Sequence, residues 1–258
     1  GEEALAASAA VERRVRAILG RRPQWGSMLT ERGFEVFPSE ANFLLARWPA
    51  AAEVDAIRRG LEERSIRVRD LESLPGTSVE IFDGETLAGW RAYGDARYVP
   101  DQGSILGEVD GGGQSFLVSE RSFGDFLLEV ELKPELPGNS GIQIRSHQRE
   151  NGRVFGYQVE IDSSPRAWSA GLYDEARRGW LDDLSDNEAA RAAFRPGEWN
   201  RYRIECLGPW IRTWVNGVPA ADYLDPLDLE GFIGLQVHSG NDTRVRWRDF
   251  HMRDLGMR

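Results

Sequence analysis

A two-sheet β-sandwich of jelly-roll type, preceded by a small α+β unit, is the fold this sequence predicts, and three observations predict it. Beyond residue 79 the chain breaks into about a dozen short runs of alternating apolar and polar residues, punctuated by Gly, Pro and Asn-Gly. Helical periodicity nearly disappears over the same stretch. Composition also shifts near residue 76. Residues 1–76 hold 12 acidic and 12 basic side chains, while residues 77–258 hold the other 30 of 42 acids and 20 of 32 bases, and so the whole net charge of −10. The expected division is therefore 1–76 and 77–258 of a 258-residue chain.

In order along the chain, residues 2–19 place Leu5, Val11, Val15, Ile18 and Leu19 at helical spacing, and Gly20 offers a C-cap. A short helix is expected over 24–32, strands over 35–37 and 42–47, a helix over 51–64 and a strand over 66–69. The second part predicts strands near 97–99, 104–107, 115–118, 126–133, 140–146, 155–161, 168–173, 200–207, 210–215, 232–237 and 244–253. Asn216-Gly217 closes a hairpin, because a type I′ turn needs positive φ at both central residues. One helical insertion is expected over 185–194, with Ser185 as N-cap and Glu188 completing a capping box.

Three of the strands share one pattern. They read Gly141-Ile-Gln-Ile-Arg-Ser-His147, Gly156-Tyr-Gln-Val-Glu-Ile-Asp162 and Gly234-Leu-Gln-Val-His-Ser-Gly240. Alternation sends Ile142, Ile144, Val159, Ile161, Leu235 and Val237 to one face. Gln143, Arg145, His147, Gln158, Glu160, Asp162, Gln236 and His238 go to the other. Amides, carboxylates, a guanidinium and imidazoles are the groups that grip hydroxyls and move protons.

Composition narrows the partners. Seven of the nine tryptophans fall in the acidic second part. Nucleic acid and anionic membranes ask for basic patches and are excluded, whereas a sugar can stack its C–H faces on aromatic rings. Cys206 is the only cysteine, so no intrachain disulfide and no cysteine-based metal cluster can form. No apolar run reaches the roughly 18 residues of a membrane span. The chain opens at Gly1 with no signal-peptide pattern, and its first residues read as mid-helix, as in a fragment or a processed product.

Phe37-Pro-Ser-Glu-Ala-Asn-Phe-Leu-Leu-Ala-Arg47, Ile66-Arg-Val-Arg69 and Leu74-Pro-Gly76 resemble the C-terminal small domain of histidinol-phosphate-type aminotransferases, over about residues 5–76. Transaminase chemistry needs a lysine to form the Schiff base with pyridoxal phosphate. The one lysine, Lys133, lies outside the segment. The segment is therefore expected to be a non-catalytic remnant with a structural or docking role, and no pyridoxal phosphate is expected.

A second succession of motifs covers about residues 79–255. It runs Ile81-Phe-Asp-Gly-Glu-Thr-Leu-Ala-Gly-Trp90, Phe123-Gly-Asp-Phe126, Gly138-Asn-Ser-Gly-Ile-Gln-Ile-Arg145, Ala170-Gly-Leu-Tyr173, Trp199-Asn200 and Gly231-Phe-Ile-Gly-Leu-Gln-Val-His238. The ordered set resembles the 3-keto-disaccharide hydrolase family. That resemblance implies a concanavalin-like jelly roll, a 3-keto-glycoside substrate, a partner sugar 3-dehydrogenase that oxidises C3 first, and an exported or periplasmic bacterial setting. A ketone at C3 acidifies the C2 proton. A base removes it, the C1 substituent leaves by β-elimination, and water added to the enone completes a net hydrolysis.

On that reading Glu160 is the base. Relatives carry Tyr-Glu-x-Gln on this strand, and here acid and amide are exchanged, two residues apart on one face. Arg145 and Gln143 would hold the carbonyl or enolate oxygen. His238 is the acid or the alternative base, its ordinary pKa of about 6.5 suiting both roles. Asp162 orients His238 or binds a metal. Asn139, Gln158 and Gln236 bind substrate, and Tyr157, Tyr173, Trp168 and Trp180 wall the sugar. His238, Asp162 and Glu160 are also the right ligand types for a divalent ion, which stays unassigned. Against this, Glu160 and Arg145 as a bare cross-strand ion pair would be worth under about 1 kcal/mol. Two other classes stay open: a non-catalytic carbohydrate-binding module, and an interaction domain attached through residues 1–76.

Overall fold

The computed structural model describes residues 23, 26–31, 33–37, 45–47, 76–135, 138–239 and 242–256. The chain divides into two compact units, Gly1–Leu74 and Pro75–Arg258. In the first, residues 26–31 are helical, and β1 (Glu35–Phe37) pairs antiparallel with β2 (Leu45–Arg47), Val36 opposite Ala46. The helices expected over 2–19 and 51–64 and the strand over 66–69 lie outside the described residues, as does most of the aminotransferase-like segment.

The second unit is a sandwich of two antiparallel sheets. Its strands are β3 (Thr77–Val79), β4 (Trp90–Tyr93), β5 (Arg97–Asp101), β6 (Ser104–Val109), β7 (Ser115–Phe123), β8 (Asp125–Pro134), β9 (Asn139–Gln148) and β10 (Val154–Asp162). Then follow β11 (Leu172–Glu175), β12 (Gly179–Asp182), β13 (Asn200–Leu207), β14 (Trp210–Val215), β15 (Val218–Leu224), β16 (Gly231–Val237) and β17 (Thr243–Gly256). One sheet runs β12-β11-β10-β9-β16-β7-β4 and the other β15-β14-β13-β8-β17-β6-β5, with β3 pairing β17. Sequential strands that sit apart in the order, such as β16 between β9 and β7, are what a jelly roll requires.

Period-2 alternation builds the core. Ile142, Ile144, Val159, Ile161, Leu235 and Val237 are fully buried between the sheets. They meet Phe126, Leu128, Val130 and Leu132 of β8, Ile204 of β13 and Trp247 of β17 in one cluster. Each such aliphatic side chain contributes about 1.5–3 kcal/mol by leaving water. The β14–β15 hairpin turns at Asn216 (φ 51°) and Gly217 (φ 82°), both left-handed, as the Asn-Gly signal demands.

Some expected elements differ. Residues 168–171 form no strand, with a turn at 169–170, and β11 starts at Leu172. The helix is only Glu188–Ala193, and Asn187 caps it, its side chain accepting from Ala190 N at 3.1 Å. Ser185 is therefore not the cap, because a closer Asx residue satisfies the free amide first.

The alternation breaks once where it matters. Ile144 opposes Tyr157 and His147 opposes Phe155, so Gly156 alone faces both Arg145 and Ser146. This is a β-bulge, and Arg145 takes φ 46° to form it. The extra residue resets which side chains share a face.

Candidate active site

Paired residues across a sheet point the same way, so the register lists what the outer face of the seven-stranded sheet displays. One row runs Trp180, Tyr173, Gln158, Gln143, Gly234, Val118 and Arg91 across seven strands. The next runs Glu160, Gly141, Gln236, Phe116 and Tyr93. A polar centre is thus flanked by Trp180 and Tyr173 on one side and by Phe116, Val118 and Tyr93 on the other.

The polar side chains form a directed chain. Ser146 Oγ donates to Gln143 Oε1 (2.7 Å), Gln143 Nε2 to Gln158 Oε1 (2.6 Å), and Gln158 Nε2 to Glu160 Oε2 (2.9 Å). Asn139 Nδ2 donates to the other oxygen, Glu160 Oε1. Every donor therefore ends on the carboxylate. Gly141 makes the path possible: a Cβ there would lie 2.4 Å from Gln158 Cδ. Gln236, fully buried, has neither its Nε2 nor its Oε1 bonded, although a buried orphan amide costs about 1–3 kcal/mol.

Glu160 is 3% exposed, and burial pushes its carboxyl up to about 7 against the opposing pull of Asn139, Gln158 and Arg166. Asp162, two residues on, goes the other way. Burial raises it, but Ser164 and Arg166 outweigh that and hold it below the ordinary carboxylate value. Its Oδ1 accepts from Ser164 N (3.0 Å), and its Oδ2 accepts from Arg166 Nε (2.8 Å) and Trp168 N (3.2 Å). Asp162 thus ties down the loop 163–171 rather than orienting His238.

Among the expected site residues, Asn139, Gln143, Gln158 and Glu160 come together in one hydrogen-bonded group, and Gln236 joins their face. Tyr173, Trp168 and Trp180 form an aromatic wall: Trp168 and Trp180 meet edge-on at 4.9 Å, and Tyr173 and Trp180 at 5.2 Å. Arg145 does not join them. The bulge turns it inward, fully buried, where Nε donates to Gly124 O (2.8 Å), Nη1 to Gly208 O (2.5 Å) and Nη2 to Asp125 Oδ1 (3.0 Å). Ser146 occupies the outward position instead. Tyr157 is also in the core, on the parity of Val159 and Ile161, with its hydroxyl accepting from Asp228 N at 3.4 Å. His238 lies just past β16, half-buried, and its Nδ1 bonds to Ser239 O at 2.8 Å; no bond to Glu160 or Asp162 exists among the described residues. Nor, among the described residues, do three His, Cys, Asp or Glu gather to hold a metal ion, so Glu160, Asp162 and His238 do not fit a metal centre. His147 pairs with Asp228 at 3.4 Å beyond the bulge.

Sequence reasoning missed Arg166. It sits outside any periodic run, in Ser163-Ser-Pro-Arg-Ala-Trp168, and the available signal was a lone cation four residues after Asp162. Its Nη2 lies 3.5 Å from Glu160 Oε1.

Residues 77–253 match the model of the 3-keto-alpha-glucoside-1,2-lyase-like domain. A 3-keto-disaccharide hydrolase from Bacteroides thetaiotaomicron is 27% identical over 244 residues, which cover 71% of this chain and 82% of that protein. The crystal structure of a candidate glycosyl hydrolase from Parabacteroides distasonis shares the fold, with TM-score 0.53 at 17% identity over 74% of this chain and 99% of its own.

Proposed function

The chain belongs to the 3-keto-alpha-glucoside-1,2-lyase-like family through residues 77–253, and from that membership we propose that it cleaves 3-keto-glycosides by C2 proton abstraction and loss of the C1 substituent. The observation that carries this reading is Glu160: a buried carboxylate, pushed to about 7, that terminates a chain of donors on an aromatic-flanked face. A general base works best when its pKa lies near the working pH. Solvated surface acids do not reach that range.

Glu160 takes the C2 proton, and the C–H electron pair becomes the C2=C3 bond of an enolate. The enolate collapses, the C3 carbonyl reforms, a C1=C2 bond forms, and the C1–O bond breaks. The departing oxygen takes a proton from His238, which the incoming water then replaces. Water then adds to C1 and a proton to C2, which returns the sugar with net hydrolysis. Asn139, Gln158 and Gln143 hold the carboxylate in place. The unbonded amide of Gln236, which can both donate and accept, suits a sugar hydroxyl. Trp168, Trp180 and Tyr173 supply the stacking surface for the ring's C–H face. Asp162 serves as a loop anchor, and His238 is the acid toward the leaving oxygen. The C3 ketone has to come from an oxidation at that carbon, so a sugar 3-dehydrogenase acts upstream.

The test offers purified protein a chromogenic 3-keto-glucoside and its non-oxidised parent. Wild type is expected to release the chromophore from the keto-sugar alone, and Glu160→Gln to lower that rate by about 10²–10⁴-fold. Release from both sugars would indicate an ordinary glycosidase. Binding without release from either would make the domain a carbohydrate-binding module.

A further inference from the structure

The keto-sugar reaction puts negative charge on the C3 oxygen, and the arginine expected to meet it is closed in a buried pair with Asp125. The cation that the fold does bring to Glu160 is Arg166. Its loop is fixed at both ends. Glu160 N donates to Gly171 O (2.9 Å) and Ala170 N to Glu160 O (2.8 Å), while Thr213 Oγ1 of the opposite sheet donates to Ala170 O (2.6 Å). Ala167 (φ 56°) and Ala170 (φ 70°) both hold the left-handed conformation that alanine rarely adopts, and such strain persists only where surrounding bonds enforce it.

The guanidinium is held as tightly as its loop. Its Cζ lies 4.9 Å from the Trp168 ring centre and 4.9 Å from that of Trp180, so two indoles flank it. Nε is committed to Asp162 at 2.8 Å, and Nη2 approaches Glu160 at 3.5 Å. Nη1 makes no hydrogen bond among the described residues, and the side chain remains 39% exposed. An arginine with one edge spent on two carboxylates and the other edge open, between the rings that would stack the sugar, is built to receive an oxygen.

We propose that Arg166 is a catalytic residue, whose open Nη1 edge receives the C3 oxygen as it becomes an enolate. This rests on the keto-sugar reading. When Glu160 takes the C2 proton it becomes neutral, and its negative charge passes to the C3 oxygen. Arg166 faces Asp162 and Glu160 before the transfer and Asp162 and the enolate after it, so the charge around the cation is unchanged and it needs no reorganisation at that moment.

The experiment compares wild type, Glu160→Gln, Arg166→Met, Arg166→Lys and Arg166→Ala on the chromogenic 3-keto-glucoside, following release and deuterium exchange at C2. Arg166→Met is expected to lower kcat by about 10²–10³-fold with little change in KM, and to slow C2 exchange in parallel. The acid limb of kcat/KM should move to higher pH, because Glu160 loses the cation that favours its charged form. Lysine should restore only part of the rate, since it lacks the planar fork, and added guanidinium should rescue Arg166→Ala. Arg166→Met with kcat within threefold of wild type, or with an effect on KM alone, overturns the proposal while the function stands. Wild type that releases from neither sugar overturns both. If Arg166→Met does not fold, rescue of Arg166→Ala by guanidinium decides alone, and absence of rescue there overturns the role.

Discussion

Burial lifts the Glu160 carboxyl from an ordinary 4.5 to about 7, and that one shift links activity to stability. Below pH 4.5 the group is protonated in both folded and unfolded chains and contributes nothing. Between 4.5 and 7 the unfolded chain loses the proton first, so stability falls as pH rises, and above 7 the cost is complete, at about 3 kcal/mol. Glu160→Gln has no such titration. It should therefore gain on wild type between pH 5 and 8, by up to about 3 kcal/mol less the bond that its amide nitrogen cannot accept from Asn139 or Gln158. Urea unfolding at four pH values measures the difference, and a gap that stays constant with pH would show that Glu160 titrates normally. The orphaned Gln236 amide carries a similar cost in the same place. Both residues tolerate burial that a purely structural face would have relieved with an apolar side chain.

Strand β9 shows how one residue of register decides which arginine can do chemistry. The bulge sends Arg145 inward to neutralise Asp125, which also accepts from Gly208 N at 2.7 Å. Arg145→Met would leave that carboxylate buried without its cation and should cost about 3–5 kcal/mol of stability by denaturant titration. Loss of activity with unchanged stability in Arg145→Met would contradict a structural role for this arginine. Regular alternation was readable wherever it held: Gln143, Gln158, Glu160 and Gln236 share a face as period 2 requires. It failed at Arg145 because an inserted residue flips every side chain beyond it, and the local text of Gly156 opposite Arg145-Ser146 marks such a bulge only weakly. Tyr157, expected to wall the sugar, lies in the core instead, as its own parity with Val159 and Ile161 indicates. Strands β4 and β12, and the extent of the β15 that the Asn216-Gly217 hairpin implies, escaped notice for another reason. They are short, or carry Pro219, Ala220, Ala221 and Asp222, and so lack the β-branched runs that advertise a strand. Arg166 sits in a loop, where no period exists to reveal a partner.

At the scale of the whole chain, the question is how much of it the chemistry requires. Among the described residues, the buried core cluster of the sandwich is drawn from residues between Trp90 and Met252, with Val79, Ile81, Phe82 and Leu87 packed against it. The edge is set by β3, whose Val79 pairs with Met252 of β17, and by Ile81, whose carbonyl accepts from the Trp90 indole at 2.5 Å. Every group assigned to the reaction lies inside that span. A chain of residues 76–258 should therefore unfold in one cooperative step and turn over the 3-keto-glucoside within about threefold of the full chain. Starting instead at residue 83 removes β3 and the packing of Val79, Ile81 and Phe82. That should cost several kcal/mol, about 2–5 for each large apolar side chain lost from a packed site, and appear as a lower urea midpoint. The two truncations separate the possibilities. If the longer one folds with an unchanged midpoint but loses turnover, residues 1–75 contribute to the reaction directly. If both fold and turn over alike, β3 is a dispensable edge and the minimal enzyme begins later than the pairing of Val79 with Met252 implies.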